Sequence, residues 1–258
     1  MSDIHRTAQD GFSAGAGTYV VGRPDYPAAL GSWLRDDLGI RDGACVLDLG
    51  AGTGKFLPRL LDTGATVVAV EPVDAMRAEL SAAFPGVEAR AGSADAIPFP
   101  DESFDAVVCA QSFHWFATAA ALAEIRRVLK PGGALGLVWN ILDQNEPWSD
   151  PVRRIMKPYA GSKPRSSGKG KAWQSAFPAK GFGELTERAF RFDQSGSPED
   201  LIVKRTLSVS YIAALVPRDK AKVADRLRAL CDELPALRNQ AEITIHYDTM
   251  AYAARRLD

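Results

Sequence analysis

The chain has 258 residues, and its 31 Lys and Arg against 32 Asp and Glu leave a formal net charge of −1. That balance argues against a general nucleic-acid binder, which carries a basic excess, and no run of the sequence approaches the ~20 apolar residues of a membrane span. A hydrophobic share of 46% with 24% charged residues suits one α/β domain with an elaboration.

Residues 1–24 read as a flexible lead-in rich in small residues, carrying Phe12, Tyr19 and Arg23-Pro24-Asp25-Tyr26-Pro27. Met1 to Arg6 has no apolar h-region, so a cytoplasmic protein is expected. Pro24 and Pro27 favour an extended entry, then a helix from about Pro27 to Leu38 with Leu30, Trp33, Leu34 and Leu38 on one face. Cys45, Cys109 and Cys231 are scattered, with neither metal spacing nor a disulfide framework.

The next stretch is Cys45-Val46-Leu47-Asp48-Leu49-Gly50-Ala51-Gly52-Thr53-Gly54, an apolar strand leading into a glycine turn and then a helix to about Asp62. This is how an α/β sheet builds a ligand site at its carboxyl edge. The dinucleotide fingerprint needs a further glycine where Lys55 or Leu57 stands, and a P-loop needs a Gly-Lys-Ser/Thr that does not follow. What remains, Asp-x-Gly-x-Gly-x-Gly, resembles motif I of the class I S-adenosylmethionine-dependent methyltransferases.

Ala65 to Val70 is expected to be a second buried strand, ending at Glu71-Pro72, with Glu71 21 positions beyond Gly50. An acid there can accept both ribose hydroxyls of a bound nucleoside. Asp74 is expected to cap a helix with Met76, Leu80 and Phe84 inward. Met76 is a candidate for the adenine edge, core packing being the alternative. A third strand, Val87 to Ala91, leads into Gly92-Ser93-Ala94-Asp95-Ala96-Ile97-Pro98-Phe99-Pro100-Asp101, and Phe104 to Ala110 makes the fourth. Here the resemblance strengthens, because the family places an acid after strand three on the adenine amino group, and Asp95 matches it. Ala110-Gln111-Ser112-Phe113-His114-Trp115-Phe116 then falls where cofactor and acceptor meet in that family. A helix from Ala119 to Leu129 with Thr118 as cap, a Lys130-Pro131-Gly132-Gly133 turn and a fifth strand from Ala134 to Trp139 complete the core.

The resemblance implies a Rossmann-like fold: a seven-stranded, mostly parallel sheet with flanking helices. It implies S-adenosyl-L-methionine as cofactor, held by Asp48, Gly50, Ala51, Gly52, Thr53, Gly54, Glu71, Pro72, Met76, Ser93, Ala94, Asp95, Ala110 and Gln111. The lead-in is similar to segments that fold over the cofactor in the ubiquinone-biosynthesis (type 11) and trans-aconitate methyltransferase-like groups. Tyr19 and Arg23 are thus candidates for the cofactor carboxylate, with Arg suited to bidentate binding; the other reading is a segment that only caps the core.

Past the core, Trp148 to Tyr159 suggests a helix, and Gly161 to Lys171 is polar, basic and rich in breakers, either a solvated linker or a lid. Trp173, Phe177 and Phe182 are expected to pack back on the core, and Glu187 to Asp193 to form a strand. Ser197 caps a helical region carrying Leu201, Val203, Leu207, Tyr211 and Leu215; a second helix spans about Arg218 to Leu234. Ala241 to Tyr247 reads as the last strand, so the helix pair is an insertion between the final two strands, a substrate cover within a single methyltransferase domain spanning 1–258.

His114 is the candidate base, since imidazole titrates near neutrality; the alternative is that it orders the loop or the cofactor. No metal constellation is read. The expected function is methyl transfer to a small-molecule acceptor, at oxygen or carboxylate, without nucleic-acid or membrane partners. A non-methyl reaction such as a cyclisation, or cofactor binding without catalysis, remains as the alternative.

Overall fold

The structure, a computed structural model, describes residues 24–160 and 171–258. Tyr19, Arg23 and the basic segment 161–170 lie outside the described residues. The described chain divides into two compact units, one of residues 25–141, 171–191 and 248–258, the other of 142–160 and 192–247.

In the first unit α1 (Leu30–Asp36) is followed by β1 (Cys45–Leu49), α2 (Leu57–Leu61), β2 (Thr66–Val70), α3 (Asp74–Ala83) and β3 (Glu88–Arg90). Then come β4 (Phe104–Ala110), α4 (Ala119–Val128) and β5 (Leu129–Leu142). With β6 (Thr186–Gly196) and β7 (Ile243–Arg255) these make a 7-stranded sheet of order β3-β2-β1-β4-β5-β7-β6. The pairs β1–β2, β1–β4, β2–β3 and β4–β5 are parallel. Arg256 N–H donates to Gly133 O and Asp143 N–H to His246 O, so numbers rise along β5 as they fall along β7 and β7 runs antiparallel. The expected seven-stranded, mostly parallel sheet is the observed one.

Alternation along the strands splits the core into two layers, as a period of two requires. Leu47, Leu49, Val107 and Cys109 join a cluster with Leu122, Ile125 and Val128 of α4 and with Trp173 and Phe182. Val46, Ala106 and Val108 join Leu30, Trp33 and Leu34 of α1, Leu57 of α2 and Leu80 of α3. Each such fully buried Leu contributes about 1.5–3 kcal/mol of transfer free energy. The approach of α1 to β5 is close: a Cβ on Gly136 would come within 2.5 Å of Leu38 Cδ1.

Several expectations change in detail. Asp74 is the first residue of α3 rather than its cap; it pairs with Arg77 at 2.7 Å, and no side chain caps that helix. Lys130 to Gly133 lies inside β5, where the register jumps from Phe104↔Leu129 to Ala106↔Ala134. The extra residues form a bulge, which Gly132 permits with φ +72° and the N–H-less Pro131 tolerates. Strand β7 runs on to Arg255, beyond the expected end at Tyr247. Its Ala251, Tyr252, Ala253 and Ala254 are all buried, so the pattern there is not alternating.

The second unit has its own core. It contains α5 (Ser149–Met156), a π-helical stretch (Glu199–Lys204), α6 (Arg205–Leu207), α7 (Ser210–Ala213) and α8 (Pro217–Glu233). Trp148, Val152, Ile202, Ile212, Val223, Leu227 and Tyr247 pack in one cluster. Ser197 Oγ accepts the Asp200 N–H at 3.1 Å, as a capping serine does. The region after it is not one helix as expected. Ser208 Oγ donates to Arg205 O at 2.7 Å, and the chain breaks there before α7.

Candidate active site at the carboxyl edge of the sheet

The geometry of the candidate site belongs to the first unit. Beyond β1 the backbone turns left-handed at Gly50 (φ +71°), Gly52 (φ +60°) and Gly54 (φ +82°). The three glycines serve different ends. A Cβ on Gly50 would lie 2.7 Å from Ser112 Cβ, and one on Gly54 would lie 2.9 Å from Leu57 Cδ1 and 3.0 Å from the Phe84 ring. Those two positions are filled by packed neighbours. A Cβ on Gly52 would meet nothing nearer than Met76 Cε at 3.8 Å, so this glycine leaves the backbone open beside Met76. Gly50 and Ala51 both donate to Val70 O, at 2.8 and 3.2 Å, which clamps the turn to the end of β2. Thr53 is buried beneath it.

Glu71 follows β2 directly, 5% exposed. Its Oε2 accepts the Gly52 N–H at 2.8 Å and its Oε1 the Val73 N–H at 2.9 Å. Asp48 is 1% exposed, and neither of its oxygens has a hydrogen-bond partner among the described residues. Burial, assisted by the Glu71 charge, pushes the Asp48 carboxyl up to about 7. Burial also raises Glu71, against the opposing pull of the two backbone donors and Arg77. An orphaned buried acid, a second acid on the turn and an open glycine fit a cofactor that is cationic and carries hydroxyl donors. S-adenosylmethionine has that chemistry.

The other expected site residues fall around this edge. Met76 is buried against Gly52, and Pro72 is exposed beside Glu71. Ser93 and Asp95 are exposed on a tight turn closed by the Ala96 N–H to Ser93 O, while Ala94 is buried in the cluster that holds Leu49 and Val70. Ala110 ends β4. Gln111 has φ +58°, a conformation costing a non-glycine residue about 1–2 kcal/mol. It is held by its N–H to Val138 O at 2.8 Å and its Nε2 to Asn140 O at 3.2 Å.

The chain then makes a 3-10 turn at Phe113–Trp115. Ser112 Oγ donates to Leu49 O at 2.8 Å, which presses this turn onto Gly50. His114 is partly buried, and the indole Nε1 of Trp139 donates to its Nδ1 at 3.2 Å. Trp139 stacks on Trp173 with ring centroids 4.4 Å apart and 21° between planes. Trp173 meets Phe113 and Tyr252 edge-on. Asp25 and Tyr26 also reach the glycine turn: Asp25 pairs with Lys55 at 2.7 Å, and Tyr26 packs edge-on against Phe56 at 4.7 Å. His246 belongs to the other unit, with its Nδ1 2.6 Å from Asp193 Oδ1. Among the described residues no group of three or more His, Cys, Asp or Glu could hold a metal ion, and no helix is long and apolar enough to cross a membrane.

Sequence reasoning missed Ser112 and Trp139. A signal for the second existed: once β4 and β5 are neighbours with Ala110 opposite Val138, Trp139 must stand beside the 111–114 turn.

Residues 47–137 match Methyltransf_11, a methyltransferase-domain family. The chain is 40% identical over 246 residues to an uncharacterised methyltransferase-like protein of Schizosaccharomyces pombe, spanning 95% of each. It is 37% identical over 266 aligned positions to an uncharacterised methyltransferase of Mycobacterium bovis, covering 98% of this chain and 99% of the other. Among solved structures, a protein of Anaeromyxobacter dehalogenans described as a candidate type II methyltransferase gives a TM-score of 0.69 at 26% identity, covering 91% of this chain and 98% of that one.

Proposed function

Since the chain belongs to the S-adenosylmethionine-dependent methyltransferases, we propose that it methylates a small-molecule acceptor at an oxygen, carboxylate oxygens included. One observation carries this reading: the 112–116 turn, with His114 on it, is pressed directly onto Gly50 of the glycine turn. When bound, S-adenosylmethionine supplies a methyl group already activated on a sulfonium, so positioning supplies much of the rate. Asp48, Glu71 and the backbone of Gly50 to Gly54 form the cationic-nucleoside side of the site, with Met76 beside them. Ser93 to Asp95 and Ala110-Gln111 are assigned to the cofactor as well, and Tyr19 and Arg23 to its carboxylate. His114 addresses the acceptor. The helices between β6 and β7 are assigned to acceptor selection, and the whole chain to one methyltransferase domain. A charge of −1 favours a small diffusing acceptor over nucleic acid.

The test is titration calorimetry with S-adenosylmethionine and, separately, NAD, followed by a screen for S-adenosylhomocysteine release over small carboxylates, hydroxyl compounds and amines. S-adenosylmethionine binding with release from an oxygen acceptor is the expected result. Binding of NAD alone sinks the assignment of the glycine turn, and release from amines alone removes the oxygen acceptor.

A further inference from the structure

Asn140 stands near the end of β5 and bonds to three separate parts of the chain. Thr249 Oγ1 of β7 lies 2.6 Å from its Oδ1, its Nδ2 donates to Asp25 O at 2.9 Å, and its backbone O accepts Gln111 Nε2 at 3.2 Å. Chemistry fixes which way round the amide lies. A backbone carbonyl can only accept, so the NH2 end must face Asp25, and the oxygen end is left for the Thr249 hydroxyl, which donates. We propose that Asn140 is a positioning residue for the cofactor: its oriented amide tethers the entry segment at Asp25 to the stretch of β5 that also holds Gln111. The cofactor half of this rests on the assignment of the glycine turn and Gln111 to S-adenosylmethionine above.

The tether also reaches the glycine turn. Asp25 Oδ1 pairs with Lys55 Nζ at 2.7 Å, and Lys55 directly follows Gly54. Strands β1 and β5 flank β4, so the segments that leave them stand two strand spacings apart, about 10 Å. Asp25 joins the two, by its carboxylate on one side and its carbonyl on the other. The two bonds are not equal. The Asp25 side chain is 76% exposed, and an ion pair in such a place adds little. On the other side Thr249 is fully buried, so the amide cannot swing away without leaving a buried hydroxyl unpaired. Asn140 is the firmer anchor. Gln111 depends on the same strand: its φ of +58° is strained, and both bonds that hold it, to Val138 O and Asn140 O, come from β5. Strain kept in place at the edge of a ligand site marks a residue whose position matters there. Asn140 thus sets the entry segment with its amide and Gln111 with its carbonyl. A site whose walls are already placed loses less to ordering when it binds.

Asn140→Asp and Asn140→Ala separate this role from packing. The carboxylate has nearly the size of the amide and still accepts from Thr249, but it sets an oxygen against the Asp25 carbonyl. Packing alone makes Asn140→Ala the worse variant. The tether makes it the milder one: calorimetric affinity for S-adenosylmethionine falls about 10- to 100-fold in Asn140→Asp and about 3- to 10-fold in Asn140→Ala. Without cofactor, hydrogen exchange at amides 25–31 quickens about 10-fold in Asn140→Asp, while β1 and β4 keep their rates. An equal or larger affinity loss in Asn140→Ala overturns the proposal. So does native affinity in both variants, or unchanged exchange at 25–31. If Asn140→Asp does not fold, Thr249→Val keeps the volume and deletes the orienting hydroxyl; affinity then falls about 3- to 10-fold, and native affinity overturns the proposal. A native protein that does not bind S-adenosylmethionine sinks the site assignment and the cofactor half with it, while the exchange comparison still decides whether Asn140 holds the entry segment.

Discussion

Asp48 and Glu71 place two carboxyl groups below a backbone turn where water barely reaches, and only one of them is satisfied by protein donors. Folded Asp48 holds its proton up to about 7, whereas an unfolded Asp loses it near 3.9. Between those values the native state binds a proton that the unfolded state has released. The contribution of Asp48 to stability without cofactor is therefore greatest at the acid end, falls as pH rises from about 4 to 7, and is level above that. An upper bound on the loss is about 4 kcal/mol. Asp48→Asn should flatten this slope, read from urea midpoints of the cofactor-free protein at pH 5 and pH 8; an undiminished slope would place the titration elsewhere. Glu71→Ala leaves the Gly52 and Val73 N–H groups without their acceptor. Affinity for S-adenosylmethionine should drop about 10- to 100-fold. Unchanged calorimetric affinity in the folded variant would take Glu71 out of the site. The position of Glu71 after a buried strand is readable from spacing alone. The missing partner of Asp48 is not, because it depends on which groups from other strands fail to arrive.

At the scale of elements, the glycine turn separates packing from opening. Gly50→Ala meets both a left-handed φ and Ser112 Cβ at 2.7 Å, so it should cost about 2–4 kcal/mol of stability. Gly52→Ala meets the φ penalty but only ordinary contact with Met76, so about 1–2 kcal/mol is expected, with the larger loss of cofactor affinity. Denaturant unfolding and calorimetry on the two variants check the contrast, and the reverse order would contradict it. Helix α4 was legible almost to the residue: it runs Ala119–Val128, and Thr118 Oγ1 accepts the Ala121 N–H at 3.1 Å. Cap and periodicity are both local, so a single segment carries them. The end of β7 was not legible, because Ala251 to Ala254 is buried without alternation. Such a run has no period to distinguish a strand covered on both faces from a helix. The bulge in β5 was hidden likewise, since Lys130-Pro131-Gly132-Gly133 has turn composition and only its neighbour β4 makes it part of a strand.

For the whole molecule, the two units have separate cores. Leu227 is fully buried among Val152, Ile202, Ile212, Val223 and Tyr247. Leu227→Ala should destabilise that cluster by about 2–5 kcal/mol. Hydrogen exchange should then speed up across 199–233 while β1, β2 and β4 keep their protection and S-adenosylmethionine still binds. Equal loss of protection in β1 and β4 would mean that the two cores melt as one. Taken by itself, the sequence determined the strand succession, the glycine turn with an acid on either side of it, and the insertion between the last two strands. Each of these is written in hydrophobic period, glycine placement or spacing within one segment. Only the tertiary structure decided that Gly50 is glycine because of Ser112, that Asp48 has no hydrogen-bond partner among the described residues, and that His114 receives a hydrogen bond from Trp139, 25 residues away. Proton position and close packing are set by whatever lies across the sheet, and a strand does not carry its neighbour in its own sequence.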